Sequence, residues 1–424
     1  MKNNRSVKKK RLRTAIEKEI IQYLWVFIGL AVMILAGSLK AWHTLLFWQI
    51  RYARPLVGLT SVGYLVTAVV FIRLNLFPKS SKIGVAILSV SINFFIVIAV
   101  IAFLRFYYSR SYLFVFYMIN FFWLLIGLGL YGRITKLPMG VIPEGIGKDL
   151  LKLKTENLFE LIDPETDLEM GGVVVDLHEE VSQGWVRFLA NCSIKKIPIY
   201  HAAIIYENIT GKVSIRHIAE GIVDEIELKK LYLNLKRVLD TILILISLPI
   251  SLPLFLVTCL AIKIDSRGPV FFRQERVGQN GKIFKMVKFR SMRVDSEKHG
   301  NKFAEKNDVR ITRVGRFIRK YRIDEIPQFW NIIKGEMSLI GPRPEQVVFA
   351  KSFEEKISYY AYRHLVKPGI TGWAQVIHGY AYNVENTYEK LEYDLYYIKY
   401  LSFWFDIQIF LKTLKTILTG FGSR

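Results

Sequence analysis

Three observations predict a membrane protein of mixed α and α/β class. The first 131 residues carry four apolar segments, each close to the ~20 residues a helix needs to cross a bilayer. Residues 132–231 alternate short β-like runs with a helical stretch, the pattern of a small cytosolic α/β domain. Residues 232–424 open on another apolar run and continue as a basic, mostly helical region. Composition agrees: hydrophobic residues make up 52% and aromatics 14% of the 424 residues, and the net charge is +23. Such a charge points to anionic partners, namely lipid headgroups, nucleotides or nucleic acid. Cys192 and Cys259 lie far apart and in no metal-ligand spacing, so neither a disulfide framework nor a zinc site is expected.

Residues 1–13 contain seven Lys or Arg and no acid. The apolar segment that follows, 20–39, is too long for the core of a cleaved signal peptide and reads as a first span. Further spans are expected at 56–72, 83–104 and 112–131, the second shortened by Arg51, Arg54 and Pro55. With the basic N-terminus inside, four spans return the chain to the cytoplasm. No paired charges inside them mark a transport path, so they read as an anchor.

In the α/β region, strands are expected at 158–162, 173–177 and 197–202, with a helix at 179–190. Gly145-Ile146-Gly147 follows Val141-Ile142 in the manner of a dinucleotide loop. The third glycine is missing and Pro143 interrupts the strand, so nucleotide binding there is the weaker reading.

The apolar run 238–262 is long enough to cross, yet both flanks are basic, and residues 263–345 carry twenty Lys or Arg against ten Asp or Glu. Moving that region outside opposes the positive-inside tendency. Pro249 and Pro253 lie mid-run, where each removes a backbone hydrogen bond and bends a helix. A re-entrant helix that breaks at these prolines and returns to the same face satisfies both observations. Beyond it, 269–272 and 282–289 read as short strands around the turn 278–281. Arg273, Lys288 and Arg290 are interleaved there with phenylalanines, which suits headgroups or a lipid phosphate. No nucleic-acid-binding module accompanies them. The tail, 388–418, is amphipathic and rich in Tyr and Trp, and is expected to form interfacial helices, with core packing as the alternative.

The chemistry is concentrated in residues 308–344, DVRITRVGRFIRKYRIDEIPQFWNIIKGEMSLIGPRP. Arg313, Arg316, Arg319 and Lys320 recur at three- and four-residue spacing and form one cationic stripe on a helix. Two adjacent carboxylates follow, Asp324 and Glu325, and then Pro327, which is tolerated only in a first helical turn. The pair is therefore expected at a helix N-terminus, ionised beside the arginines and able to attack an electrophile. Ordinary helix capping is the competing explanation. The surplus of cations exceeds what capping needs. Pro342, Arg343 and Pro344 then place an arginine in a rigid extended loop, suited to a bidentate grip on phosphate.

This stretch, with KRVLD (236–240), GPVFFRQERVG (268–278), KFRSM (288–292) and KPGITGWAQV (367–376), closely resembles the bacterial sugar transferases. These are the polyprenyl-phosphate hexose-1-phosphate transferases, or monotopic phosphoglycosyl transferases, and the resemblance covers about 232–424. It implies a sugar-transferase catalytic domain facing the cytoplasm of a bacterial inner membrane. The implied reaction moves a sugar-1-phosphate from a UDP-sugar to undecaprenyl phosphate and releases UMP. That is the first membrane step of exopolysaccharide, capsule or O-antigen assembly. It makes Asp324 the nucleophile, Glu325 the ligand of Mg²⁺, and Pro342, Arg343 and Pro344 the nucleotide contacts. Arg273, Lys288, Arg290, Arg316, Arg319 and Gln375 join them as substrate-binding candidates. Membrane lipids are further partners, nucleic acid is not, and self-association is left open. An inactive scaffold of a polysaccharide assembly complex is the alternative, and the intact acid pair argues against it. Where the family commonly continues Asn-Gly-Arg after its W-x-Q-V, this chain has Ile377, His378 and Gly379.

Overall fold

The computed structural model describes residues 23–74, 82–133, 138–164, 170–215, 227–293, 310–378 and 384–419. They form two compact units, Met1–Thr210 and Gly211–Arg424.

The first unit opens with four long apolar helices: α1 (Tyr23–Trp42), α2 (Ala53–Leu74), α3 (Lys82–Leu104) and α4 (Arg110–Arg133). Each contains the length and hydropathy needed to cross a bilayer, as the sequence predicts. Arg54 and Pro55 do not shorten α2, because both fall in its first turn, where proline costs no hydrogen bond. Some polar groups between these helices find partners inside the bundle, although the buried Asn120 amide and the Ser38 and Ser89 hydroxyls have none among the described residues. The Tyr117 hydroxyl donates to Asn93 Oδ1 at 2.6 Å, and Asn93 donates in turn to the Gly63 carbonyl at 2.8 Å. Gly63 permits that approach, since a Cβ there would lie 2.7 Å from the Asn93 amide.

A four-stranded parallel sheet follows, made of β1 (Met139–Val141), β2 (Leu158–Glu160), β3 (Gly172–Val175) and β4 (Ile199–His201), in the order β2-β1-β3-β4. Helices α5 (Ile146–Lys152) and α7 (Ala202–Thr210) cover one face and α6 (Gln183–Ile194) the other. Val173 and Val175 pack toward Trp185 and Phe188 of α6, while Val174 points to the opposite core, so β3 is buried on both sides. The three expected strands are present. The expected helix at 179–190 begins later, at Gln183, behind Ser182 in extended conformation.

The second unit begins with α8 (Lys230–Asp265), a single helix of 36 residues. It corrects one expectation: the chain stays helical through Pro249 and Pro253, so the prolines do not interrupt the element. Most of its apolar side chains face outward, Ile250 being 79% exposed. Its inward residues anchor two cores. Ile244 packs with Phe284, Met286 and Ile332, and Ile262 with Phe289 and Ile318. Phe284, Met286 and Phe289 belong to the hairpin β5 (Phe271–Val277) and β6 (Ile283–Phe289), joined by the expected turn. Next come α9 (Arg313–Lys320), a 3₁₀ turn (Ile323–Gln328), α10 (Phe329–Lys334) and β7 (Ser338–Ile340). The chain continues with α11 (Val347–Lys356), a 3₁₀ turn (Tyr360–Leu365), β8 (Gly369–Thr371), α12 (Trp373–Ile377), α13 (Val384–Lys399) and α14 (Phe403–Thr419).

The tail bears on a second expectation. Tyr393, Tyr396, Tyr397 and Phe405 are buried, and Phe405 meets the Trp373 ring edge-on at 4.9 Å. α13 and α14 therefore pack one face as core around Trp373, the alternative the sequence left open. Exposed aromatic rings remain at Tyr388, Phe403 and Phe410 of these helices, and at Phe317 of α9 and Trp330 of α10.

Candidate active site

The dyad sits where α9 ends and the chain reverses. Arg322 takes a left-handed conformation at φ 56° and caps the 3₁₀ turn, which carries Asp324 and Glu325 in its first turn. The expected helix N-terminus is therefore a tight 3₁₀ turn leading into α10. Asp324 is half-buried, whereas Glu325 is buried.

Three cations converge on Glu325. Arg343 Nη1 donates to its Oε1 at 3.1 Å, Lys288 Nζ lies 3.6 Å from the same oxygen, and Arg322 Nη1 lies 3.7 Å from Oε2. Burial alone would raise the Glu325 carboxyl, but Arg343, Lys288 and Arg322 together hold it well below the usual range. Asp324 moves the other way. Burial and then the Glu325 charge push it up, against the pull of Lys288, Arg319 and Arg343. The arginines thus oppose the shift and do not reverse it, and at about 6 the carboxyl is still mostly ionised at neutral pH. Lys288 is lowered to about 8, first by burial and then by Arg343.

Arg343 is held in its loop by backbone contacts on both sides. The Pro342 carbonyl accepts from Gly369 N–H at 2.9 Å, and the Pro344 carbonyl from Arg276 at 3.1 Å. The Arg343 carbonyl accepts from Arg363 Nη2 at 2.9 Å. Arg363 also donates to Asp394 at 2.8 Å and to the Tyr360 hydroxyl at 2.6 Å. Glu345, next to the loop, pairs with Lys390 and faces Arg363 at 3.6 Å. β7 and β8 approach each other through glycines. A Cβ at Gly341 would lie 2.4 Å from the Lys367 carbonyl, and one at Gly372 would lie 2.2 Å from the Gly341 carbonyl. The G-P-R-P and K-P-G-I-T-G segments are therefore two halves of one backbone arrangement.

The other sequence candidates divide. Lys288 and Arg319 act on the dyad, as expected. Arg290 is buried and donates to the Ser266 carbonyl and hydroxyl at 2.7 and 2.8 Å, closing the end of α8. Arg273 and Arg316 are exposed, with no described contact to the dyad. Gln375 is buried in α12 and donates to the Ile370 carbonyl at 3.2 Å. His378 pairs with Glu389 at 2.9 Å, while Gly379 and Tyr380 lie outside the described residues. Arg322 and Arg276 belong to the cation-rich stretches the sequence singles out, whereas sequence reading missed Arg363, Glu345 and Lys390, which lie outside the quoted motifs.

Glu325 Oε2 is buried and accepts no hydrogen bond among the described residues. A hard oxygen without a donor fits a cation such as Mg²⁺, which takes few carboxylates together with phosphate oxygens. The described residues gather three metal-type donors at one other place, Asp176, His178 and His201 of the first unit, all within 4.8 Å of one another. By distance they could hold an ion; their hydrogen bonds run differently. His201 Nδ1 accepts from Ala203 N–H at 3.0 Å, so the neutral ring carries its proton on Nε2 and donates to His178 Nδ1 at 2.7 Å. A metal-bound histidine donates through its second nitrogen, the reverse of this arrangement. Asp176 Oδ2 also accepts from Ile146 N–H at 3.0 Å, in the place a dinucleotide phosphate takes at a β1–α turn. Gly145 beside it has φ 52°, and a Cβ there would lie 2.3 Å from that oxygen. The glycine loop is filled by the protein's own carboxylate.

Residues 231–420 match the bacterial sugar transferase family. The chain is also 40% identical over 404 residues to the UDP-N-acetylgalactosamine-undecaprenyl-phosphate N-acetylgalactosaminephosphotransferase of Aeromonas hydrophila, covering 94% of this chain and 95% of that one. The chain belongs to the bacterial sugar transferase family. It is similar as well to two UDP-glucose:undecaprenyl-phosphate glucose-1-phosphate transferases. One, from Xanthomonas campestris pv. campestris, is 42% identical over 212 residues, 49% of this chain and 43% of the relative. The other, from Escherichia coli (strain K12), is 43% identical over 192 residues, 45% of this chain and 41% of the relative. The likeness to these two sugar transferases is thus confined to a part of each chain, whereas the Aeromonas protein is matched over nearly its whole length.

Proposed function

We propose that this protein is an undecaprenyl-phosphate sugar-1-phosphate transferase that uses a UDP-sugar donor. Family membership over nearly the full length, with a carboxylate pair set among cations, carries the reading. Asp324 attacks the β-phosphorus of the donor, forming an acyl-phosphate bond as the bond to the bridging α–β oxygen breaks. The electron pair leaves on the α-phosphate, and UMP departs. The phosphate oxygen of the lipid then attacks the same phosphorus and regenerates the Asp324 carboxylate. Arg343 and Lys288 face the charge that develops on the phosphoryl oxygens. Glu325 would hold Mg²⁺, which supplies Lewis-acid neutralisation of the pyrophosphate. Through Arg276, Arg363 and Gly369 the loop keeps Arg343 in place before substrate arrives.

The reaction belongs at the cytoplasmic face of a bacterial inner membrane. There the basic flanks of α8, Lys236 and Arg237 before the apolar run and Lys263 and Arg267 after it, stay on the cytoplasmic side. The Aeromonas relative is named for UDP-N-acetylgalactosamine, so that donor is the first to test. Membranes carrying the protein are given this donor, labelled in the β-phosphate, with no lipid acceptor. Wild type is expected to become covalently labelled and to release a stoichiometric burst of UMP, and Asp324→Asn to do neither. Normal turnover without a trapped label would replace the two-step route with direct attack by lipid phosphate.

A further inference from the structure

Beside the first turns of α8 lies a cavity of about 590 Å³ that none of Asp324, Glu325, Arg343 and Lys288 lines. Asn234 and Arg237 reach it from α8, Gln279 from the hairpin turn and Lys367 from the loop before β8, while Leu233 and Met337 give it an apolar wall. α10 separates it from the dyad. The dyad precedes Phe329 at one end of that helix, and Gly335 at the other end lies under the Arg237 guanidinium, 2.9 Å from where its Cβ would be.

The charge of this lining is unbalanced. Lys230 pairs with Glu227 at 2.8 Å and Lys236 with Asp406 at 2.5 Å. Asp240 commits Oδ2 to the Ser338 hydroxyl at 2.5 Å and to Leu339 N–H at 3.2 Å. Arg237 and Lys367 remain, and among the described residues neither side chain has a hydrogen bond or an ion pair. They are close enough to feel each other: burial first, and then the Arg237 charge, push Lys367 below its usual range, while the Asp240 charge pulls it the other way. Two cations held together against their repulsion, with an amide beside them, are complementary to a tetrahedral anion. Arg237 also directly precedes the apolar run 238–262, where a cation at the end of a membrane helix would meet lipid phosphates.

We infer that this cavity is a second anion site, separate from the dyad, which binds a phosphate group through Arg237 and Lys367. The apolar wall suits the phosphate of a membrane amphiphile, and the cations alone suit free phosphate. The experiment uses the purified full chain in detergent with two probes. Dioleoylphosphatidylglycerol retention is read by native mass spectrometry, and inorganic phosphate by the shift in thermal midpoint. Wild type should hold one of the probes, and the doubly substituted R237Q/K367Q chain should bind it about tenfold or more weakly. Asn234→Trp, which fills the space and keeps both cations, should show the same loss and guards against misfolding of the double variant. Asp324→Asn should bind as wild type. Retention of the lipid alone identifies a headgroup site, and a shift with phosphate alone identifies a soluble anion. Unchanged binding in both the double variant and Asn234→Trp, or loss in Asp324→Asn, would overturn the inference. The outcome does not depend on whether Asp324 becomes labelled.

Discussion

Glu325 is surrounded by more positive charge than one carboxylate can neutralise, and this excess suits a site built for a pyrophosphate. Arg343→Lys keeps the charge but loses the planar fork, so donor KM should rise about tenfold to a hundredfold while the protein stays folded. An unchanged KM would reduce Arg343 to a spacer between its prolines. Glu325→Gln should raise the Mg²⁺ concentration needed for half-maximal activity, because a neutral amide is a poor ligand for a hard cation. A magnesium titration of both proteins decides it. These residues were legible in the sequence because they are packed into one stretch, 308–344. Arg363, Asp394 and Lys390 were not, since their contacts span between 20 and 45 positions of the chain and leave no local spacing to read.

Between elements, the loop of Arg343 depends on a buried network of opposite charges. The Glu345 carboxyl is pulled from its ordinary 4.5 to about 2 by Lys390 and Arg363, despite the burial that opposes this. A depressed carboxyl contributes stability that is fully present above 4.5 and disappears as pH falls through about 2. Wild type should therefore exceed Glu345→Gln by on the order of 3 kcal/mol at neutral pH. The gap in thermal midpoint should close between those two pH values, and a gap that persists at pH 2 would refute this assignment. Gly372→Ala tests the other half of the arrangement. With a carbonyl 2.2 Å from the added Cβ, β7 and β8 must part, and activity should fall with a lowered midpoint. Strand β1 was legible only in outline, as the Val141-Ile142 strand that Pro143 interrupts. Four residues between Pro138 and Pro143 carry no alternating pattern, and pairing with β2 and β3 sets the strand at Met139–Val141. The aromatic tail left both readings open because Tyr and Trp suit a headgroup layer and a core equally well until a partner such as Trp373 is known.

At the scale of the chain, the long apolar helices were readable from hydropathy. If both ends of α8 face the cytoplasm, reporter tags at Gly221 and at the C-terminus should report the same side. Opposite sides would make α8 an ordinary crossing helix. Exposed rings of the second unit include Phe317 and Trp330 as well as Phe403 and Phe410 of the tail. Lysines accompany the aromatics at α9 and α10: Lys334 lies over the Trp330 ring, and Lys320 over that of Tyr321.

The tie between Arg363 and Asp394, and that between Lys236 and Asp406, also bear on biosynthesis. The chain emerges N-terminus first, so α8 and the dyad leave the ribosome before the helices that brace them. Until α13 and α14 arrive, Arg363 lacks Asp394 and Lys236 lacks Asp406. A ribosome-bound chain arrested after Leu365 should therefore sit in the membrane without consuming donor, and activity should begin only with release of the finished C-terminus.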